Sequence, residues 1–277
     1  TIGRPMQDRL QRLTGDRQFA VSELGAAQAS NLVEAWQSLN EVALLLDGLD
    51  FGGMLRFVHV LGRGLSRPMV PYPMELTDHE KELWRPYLFQ ARGEEQAANL
   101  IDIQAMRMYE GWGARLLFER VTEVAMPQAE KAKGLMEGIA AAQTDPARKA
   151  YWDLTVKRVQ ALILLMTSAD NMVKYQAQLD RVNAIGAKPE DNPVLGVQSD
   201  WARTDMINLA RKEIDTAIAL EKLLASTSEP ILELQPSVSD AYPLKLGAEV
   251  REALRRKVQT MNAHWRDYDR MFTIPNP

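Results

Sequence analysis

The sequence contains no cysteine among its 277 residues. This absence excludes disulfide bonds, thiolate zinc sites and cysteine nucleophiles. It also favours an exported or periplasmic protein, in which unpaired thiols are a liability. Residues 1–5 do not have the apolar region of a signal peptide, so the sequence itself leaves the compartment open.

Two further shortages exclude broad classes of protein. No run of 18 apolar residues occurs, so we expect no transmembrane segment. There is no excess of positive charge, because 33 lysines and arginines face 37 aspartates and glutamates, for a net charge of -4. Nucleic-acid binders depend on neutralising phosphate, so we expect no nucleic-acid partner.

Motifs for cofactors and metals are also missing. The three histidines, His59, His79 and His264, belong to neither a Glu-x-x-His nor a His-Glu-x-x-His pattern. No phosphate-binding or nucleophile-elbow motif occurs, and the glycines near Gly62 lack the third glycine of a dinucleotide loop. We therefore expect no cofactor and no metal, since the remaining oxygen ligands suit calcium or magnesium at best.

What is present is dominated by one stretch, from Asp145 to Gly186. Asp145 is a suitable N-cap, Pro146 suits the first helical position, and Gly186 suits the residue after a helix. No glycine or proline lies between them, and residues 161–166 are apolar on every side. This pattern predicts one long helix over residues 146–185 that is surrounded by other helices.

Other stretches repeat apolar residues at intervals of three and four, which predicts further helices. Thr77 and Glu80 form the pattern of a capping box. The predicted helices are one that Ser22 caps and that stops near Gly48, one over residues 94–124, one from Pro127 to about Ala142, one that Ser199 caps, and one through residues 250–268.

The resulting prediction is an all-α fold: a single-domain bundle of about six to eight mostly antiparallel helices, with helix 146–185 near the centre. One helical domain covers residues 1–277, with irregular loops at 66–76, 186–198 and 229–246. Within the last loop, residues 231–234 could pair as a short strand.

Several residue types could carry chemistry, but each has a plainer reading. His79 lies among acidic residues, where it could be tuned or could bind a metal, yet it also fits a solvated first helical turn. Asp102 and Asp170 could act as an acid–base pair, or each could pair with a nearby arginine or lysine such as Lys174. The six tryptophans could stack on sugars, but Trp36, Trp112 and Trp265 lie in register with apolar stripes and fit core packing.

Two classes of function remain. The first is a non-enzymatic helical binding or interaction protein, which binds a protein partner or associates with itself as a homo-oligomer. The alternative is a ligand-binding receptor or enzyme whose cleft combines dispersed carboxylates and tryptophans, with a small-molecule ligand such as a carbohydrate. In either case, proline-stiffened residues 66–76 suggest a ligand or partner site at Tyr72, His79, Trp84 and Arg85.

Overall fold

The computed structural model describes residues 15–47, 65–82, 112–185, 193–231, 233–234, 244–245 and 248–271. Helix α1 covers residues 15–24. The elements that follow are α2 (Ala26–Asp47), a 3-10 turn (Pro73–Glu75), α3 (Asp78–Glu82), α4 (Trp112–Ala141), α5 (Pro146–Ile185), α6 (Pro193–Ala225), β1 (Glu233–Leu234), β2 (Leu244–Lys245), α7 (Ala248–Ala263) and α8 (Asp267–Arg270).

The fold is all-α with antiparallel helix packing, which confirms the predicted class. The strands β1 and β2 are two residues each and pair antiparallel, with Glu233 opposite Lys245. Part of the segment predicted to pair as a strand, residues 233–234, therefore does so. None of the described helices combines the length and apolar character that crossing a membrane requires.

Helix α5 has the predicted bounds and is 40 residues long. Its cap is as expected, because Asp145 Oδ1 accepts a hydrogen bond of 2.8 Å from the backbone amide of Arg148. Residues 168–179 are buried on every side except at Lys174. The capping box is also present at α3, where Glu80 accepts from the amide of Thr77 at 2.8 Å and Thr77 Oγ1 accepts from the amide of Glu80 at 3.2 Å.

The predicted break at Pro127 is wrong, because α4 continues through this proline. A proline inside a helix removes the hydrogen bond to the carbonyl four residues earlier. Pro127 and Glu123 both lie on the exposed side of α4, where water can solvate that carbonyl. The cost of the proline is therefore small enough for α4 to continue.

The predicted cap at Ser22 is also wrong. Ser22 lies inside α1, and its hydroxyl donates to the carbonyl of Phe19 at 2.7 Å instead of capping a helix. The helix is interrupted at Gly25, whose φ of 75° is a left-handed conformation that glycine adopts without strain. Gly25 therefore separates α1 from α2 and turns the chain between them.

The loop predicted over residues 186–198 is shorter in the structure, and Ser199 does not cap the helix that follows it. Helix α6 already begins at Pro193, a residue type favoured in the first helical turn because its missing amide needs no partner there. Residues 186–192 lie outside the described part of the chain. The loop at 66–76 holds only the short 3-10 turn, as its three prolines suggest.

Contacts divide the chain into two compact units, and the prediction of a single domain stays a prediction. Unit 1 comprises Thr1–Leu46 and Glu123–Ile163. In it, Glu34 of α2 pairs with Lys131 of α4 at 2.7 Å, and Ala29 of α2 shares a core cluster with Ile139 of α4, so the two helices run antiparallel. Its apolar core contains Ala20, Ala29, Leu32, Ile139, Ala140 and Trp152.

Unit 2 comprises Asp47–Thr122 and Leu164–Pro277. In it, α5 and α6 run antiparallel, because Asn171 contacts Glu213 while Gln178 contacts Asp205. Helices α6 and α7 are antiparallel as well, since Glu221 pairs with Arg251 and Glu213 with Lys257. Three helices of this unit therefore pack side by side along much of their lengths.

Candidate functional site

A groove in unit 1 lies between α2 and α4 and has a volume of about 390 Å³. Charged side chains of both signs line it together with small polar ones. The lining residues are Arg17, Ser30, Val33, Glu34, Gln37, Ser38, Glu41, Gln128 and Lys131. Glu34 and Lys131 pair across it, whereas neither Arg17 nor Glu41 forms an ion pair with another described residue.

Exposed apolar side chains continue this groove toward one end. Leu44 lies seven residues after Gln37 on α2, and Val124 lies seven residues before Lys131 on α4. Seven residues are two helical turns, so each continues the face that lines the groove. Leu44 and Val124 are 64% and 53% exposed, so both present apolar surface to solvent.

Unit 2 contains a second polar site, which is closed to solvent. Lys257 and Glu213 form a salt bridge with side chains 0% and 1% exposed. The Glu213 carboxylate also accepts hydrogen bonds from Ser168 Oγ at 2.6 Å and from Asn171 Nδ2 at 3.0 Å. Lys257 Nζ donates in addition to the backbone carbonyl of Leu65 at 3.1 Å. We call these side chains, Ser168, Asn171, Glu213 and Lys257, the polar layer.

The polar layer satisfies the charges that it buries. Taking a carboxylate and an ammonium out of water costs several kcal/mol each, which their attraction offsets only if further hydrogen bonds are made. Three donors surround the Glu213 carboxylate, and a carbonyl accepts from Lys257, so this condition holds. All four side chains of the polar layer are buried, and Asn171 Oδ1 has no hydrogen-bond partner among the described residues.

Sequence reasoning missed Glu213 and Lys257, although a signal exists. Buried positions on α6 follow a 4-3-4-3-4 spacing that includes residue 213, and those on α7 follow a 4-3-4 spacing that includes residue 257. The buried residues are Met206, Ala210, Glu213, Ala217, Leu220 and Leu224 on α6, and Val250, Leu254, Lys257 and Met261 on α7. Opposite charges at core positions of two neighbouring helical stripes predict a buried pair.

A pair of buried tyrosines lies near the polar layer. The hydroxyls of Tyr175 and Tyr268 are 2.7 Å apart, and Tyr268 also donates to the carbonyl of Met69 at 3.4 Å. Since the Tyr268 proton points to Met69, Tyr175 donates to Tyr268. Burial, together with its tyrosine neighbour, raises the pKa of Tyr175 well above its usual range. Both hydroxyls therefore stay neutral.

The order of these donors predicts an asymmetry. Tyr268→Phe removes an acceptor from the buried Tyr175 hydroxyl and a donor from Met69, so we expect a loss of about 2 kcal/mol in the free energy of unfolding. Tyr175→Phe leaves the Tyr268–Met69 contact in place and should cost about 1 kcal/mol or less. Urea unfolding of both variants measures the difference, and a larger loss for Tyr175→Phe would reverse the assigned order.

The paired reading of Asp170 is confirmed. Lys174 lies 2.7 Å from Asp170 on the same helix, and Glu119 of α4 lies 3.7 Å from Lys174. Asp170 is 8% exposed and belongs to an ion-pair group between α4 and α5. Asp102 lies outside the described residues.

The predicted site residues fall partly within the described chain. Tyr72 is half-buried, and the Arg270 guanidinium lies 4.8 Å from the centre of its ring. His79 is exposed on α3, while Trp84 and Arg85 lie outside the described residues. Met69 and Val70 are buried, so this part of the loop packs against the protein. The assignment of a ligand or partner to these four positions stays a prediction.

The four tryptophans whose side chains are described have different surroundings. Trp152 is buried in the core of unit 1, and Trp36 packs partly against that core. Trp265 is half-buried under the Arg211 guanidinium, at 5.5 Å from the ring centre. Trp201 is 65% exposed on α6. Among the described residues, no three histidine, aspartate or glutamate side chains form a group that could hold a metal ion.

Comparison of the chain with protein-family models, with characterised proteins and with solved structures finds no match in any of the three.

Proposed function

We propose that this chain is a non-enzymatic helical binding protein that receives a helix of a protein partner in the groove between α2 and α4. The observation that carries the proposal is the groove itself, with Leu44 and Val124 exposed along its continuation. Helix-in-groove recognition uses apolar anchors at helical spacing, with charged residues beside them that fix the partner's orientation.

The dimensions support a helical occupant. The α2 residues that line the groove run from Ser30 to Glu41 and, with Leu44, extend the face to about 21 Å at 1.5 Å per residue. This length matches roughly four turns of a partner helix. Arg17 and Glu41 supply a cation and an anion without partners among the described residues, so a helix that carries both signs would complement them.

The groove is less suited to the catalytic alternative. Its two carboxylates belong to Glu34 and Glu41, whose backbone positions are two helical turns apart, or about 10.5 Å along the axis. Glycosidic carboxylate pairs lie roughly 5–9.5 Å apart. Glu34 is already paired with Lys131, and the described residues that line the groove include no aromatic ring on which a sugar could stack.

Site-specific photo-crosslinking tests the proposal. A photoreactive amino acid replaces Gln128 in two versions of the chain, one otherwise wild type and one that also carries Leu44→Glu. The proteins that each version captures are then compared. The glutamate places a charge where an apolar anchor of the partner should bind. We therefore expect the amount of captured partner to fall at least tenfold, which corresponds to a loss of about 1.4 kcal/mol in binding free energy. A second copy of the chain, detected by its mass, would identify self-association as the mode of binding.

A matched control is Ile218→Glu, which makes the same change at a partly exposed apolar residue of unit 2. We expect it to leave the captured set unchanged. Circular dichroism of all variants shows whether helix content is retained. If Leu44→Glu and Ile218→Glu capture the same proteins in the same amounts, the groove is not the binding surface.

A further inference from the structure

Residues 65–82 of unit 2 are held by side chains from the C-terminal helices. We call these residues the strap. Lys257 of α7 donates a hydrogen bond to the carbonyl of Leu65, and Tyr268 of α8 donates one to the carbonyl of Met69. Arg270 pairs with Glu75 at 2.8 Å. A further contact is made by His264, in the turn between α7 and α8.

His264 holds the end of the strap through both nitrogens of its ring. Its Nε2 lies 2.9 Å from Glu80 Oε1 on α3, and its Nδ1 lies 2.7 Å from Asp267 Oδ2 on α8. Neutral imidazole carries one N–H and one lone pair, whereas imidazolium carries two N–H groups. Two ionised carboxylates can therefore both accept hydrogen bonds only when His264 is protonated.

The other charges near His264 are engaged with partners of their own. Arg270 pairs with Asp267 Oδ1 at 3.0 Å as well as with Glu75, so it does not occupy the oxygen of Asp267 that faces His264. From α6, Arg211 lies over the ring of Trp265, next to His264 in sequence. On the strap, Tyr72 stacks with Arg270.

We propose that His264, Glu80 and Asp267 form a pH-sensitive latch that holds residues 77–82 against the C-terminal turn when the imidazole is protonated and releases them when it is neutral. Release follows from the geometry, because deprotonation turns one of the two contacts into a lone pair facing a carboxylate. The strap's earlier contacts, at Leu65 and Met69, do not involve a group that titrates with His264. We therefore expect the response at α3, whose contact with the C-terminal turn is the one that His264 makes.

The direction of the ionisation equilibria sets the pH window. Burial disfavours the cation, but hydrogen bonds to Asp267 and Glu80 outweigh this and raise the pKa of His264 above its ordinary 6.5. The contribution of His264 to stability is fully present below pH 6.5 and is lost as pH rises through the raised pKa.

Glu80 sets the lower limit of the window. Burial disfavours the Glu80 carboxylate, yet hydrogen bonds from Thr77 and His264 lower its pKa below 4.5. The contribution of Glu80 is fully present above pH 4.5 and is lost as pH falls through that lowered pKa. The latch should be firmest between these limits.

Hydrogen exchange of the full chain, with an NMR titration of His264, tests the latch. In the wild type we expect the His264 midpoint above 6.5, and exchange of residues 77–82, corrected for the intrinsic rate, at least several-fold faster at pH 8.5 than at pH 5.5. Residues 65–71 should show no such change. Glu80→Gln should lower the His264 midpoint, because it removes one of the two carboxylates.

In the His264→Gln variant, the amides of residues 77–82 should exchange at the fast rate at both pH values, because glutamine has no ionisable ring. The matched control is His79→Gln, which removes an exposed histidine of α3 that makes no contact within the latch. It should retain the wild-type response. A His264 midpoint at or below 6.5, or equal protection of residues 77–82 at the two pH values, overturns the proposal.

Discussion

Lys257→Met is expected to lower the free energy of unfolding by about 3–5 kcal/mol, because it leaves the buried Glu213 carboxylate without its cation. The change is close to isosteric, so it opens little cavity, and the loss reports mainly on charge. Leu65 also loses the donor to its carbonyl. Urea unfolding followed by circular dichroism at neutral pH measures the effect.

A second substitution separates the charge from the packing. Lys257→Met combined with Glu213→Gln removes both charges and keeps an amide oxygen that Ser168 can still bond. Neutral replacement of a buried ion pair is often neutral or stabilising. The double variant should therefore recover about half or more of the loss. No recovery would mean that the cost of Lys257→Met comes from packing and not from an uncompensated charge.

The matched control for Lys257→Met is Lys149→Met. Lys149 pairs with Asp153 at 2.8 Å in a similar ion pair, but its side chain is 50% exposed. Exposed pairs contribute about 0–1 kcal/mol, so this variant should unfold nearly as the wild type does. Equal effects of the two substitutions would show that Lys257 is not in a dry environment.

Local signals in the sequence account for much of the fold. Helix α5 is predicted to the residue, because Asp145 and Pro146 are suited to a helix start and no breaker occurs before Gly186. The capping box at Thr77 was equally readable. In such places one strong local preference acts alone, and tertiary contacts do not oppose it.

The errors occur where solvent exposure or backbone conformation decides between two local signals. Pro127 looks like a helix start, but on an exposed side it can also lie within a helix. Ser22 looks like a cap, but Gly25, three residues later, provides the left-handed turn. Sequence alone does not give exposure or the sign of φ, which is why the predictions at Pro127 and Ser22 were wrong.

The candidate sites were harder to foresee than the fold. The polar layer joins residues from three helices and the loop carbonyl of Leu65, and residues 168 and 257 are 89 positions apart. The groove depends on how α2 and α4 align, and the residues that face each other across it, such as Glu34 and Lys131, are nearly 100 positions apart. Helical periodicity shows which face of a helix is buried, but not which partner covers it.

Trp152→Ala is expected to lower the free energy of unfolding by about 3–5 kcal/mol, the usual range for deleting a buried aromatic side chain. Trp152 is 7% exposed and packs with Leu32, Ile139 and their neighbours in the core of unit 1. Three of the five buried residues that share its cluster are alanines, whose short side chains cannot move to fill the space.

The adjacent residue provides the control for Trp152→Ala. Tyr151 is 59% exposed, and its ring meets that of Trp152 edge-on with centroids 5.3 Å apart. Tyr151→Ala removes this one contact and should cost about 0.5–1.5 kcal/mol. Urea unfolding of both variants compares a core tryptophan with its exposed neighbour on the same helix. If Trp152→Ala were as mild as Tyr151→Ala, Trp152 would not be a core residue, and a role in ligand stacking would become the better reading of this tryptophan.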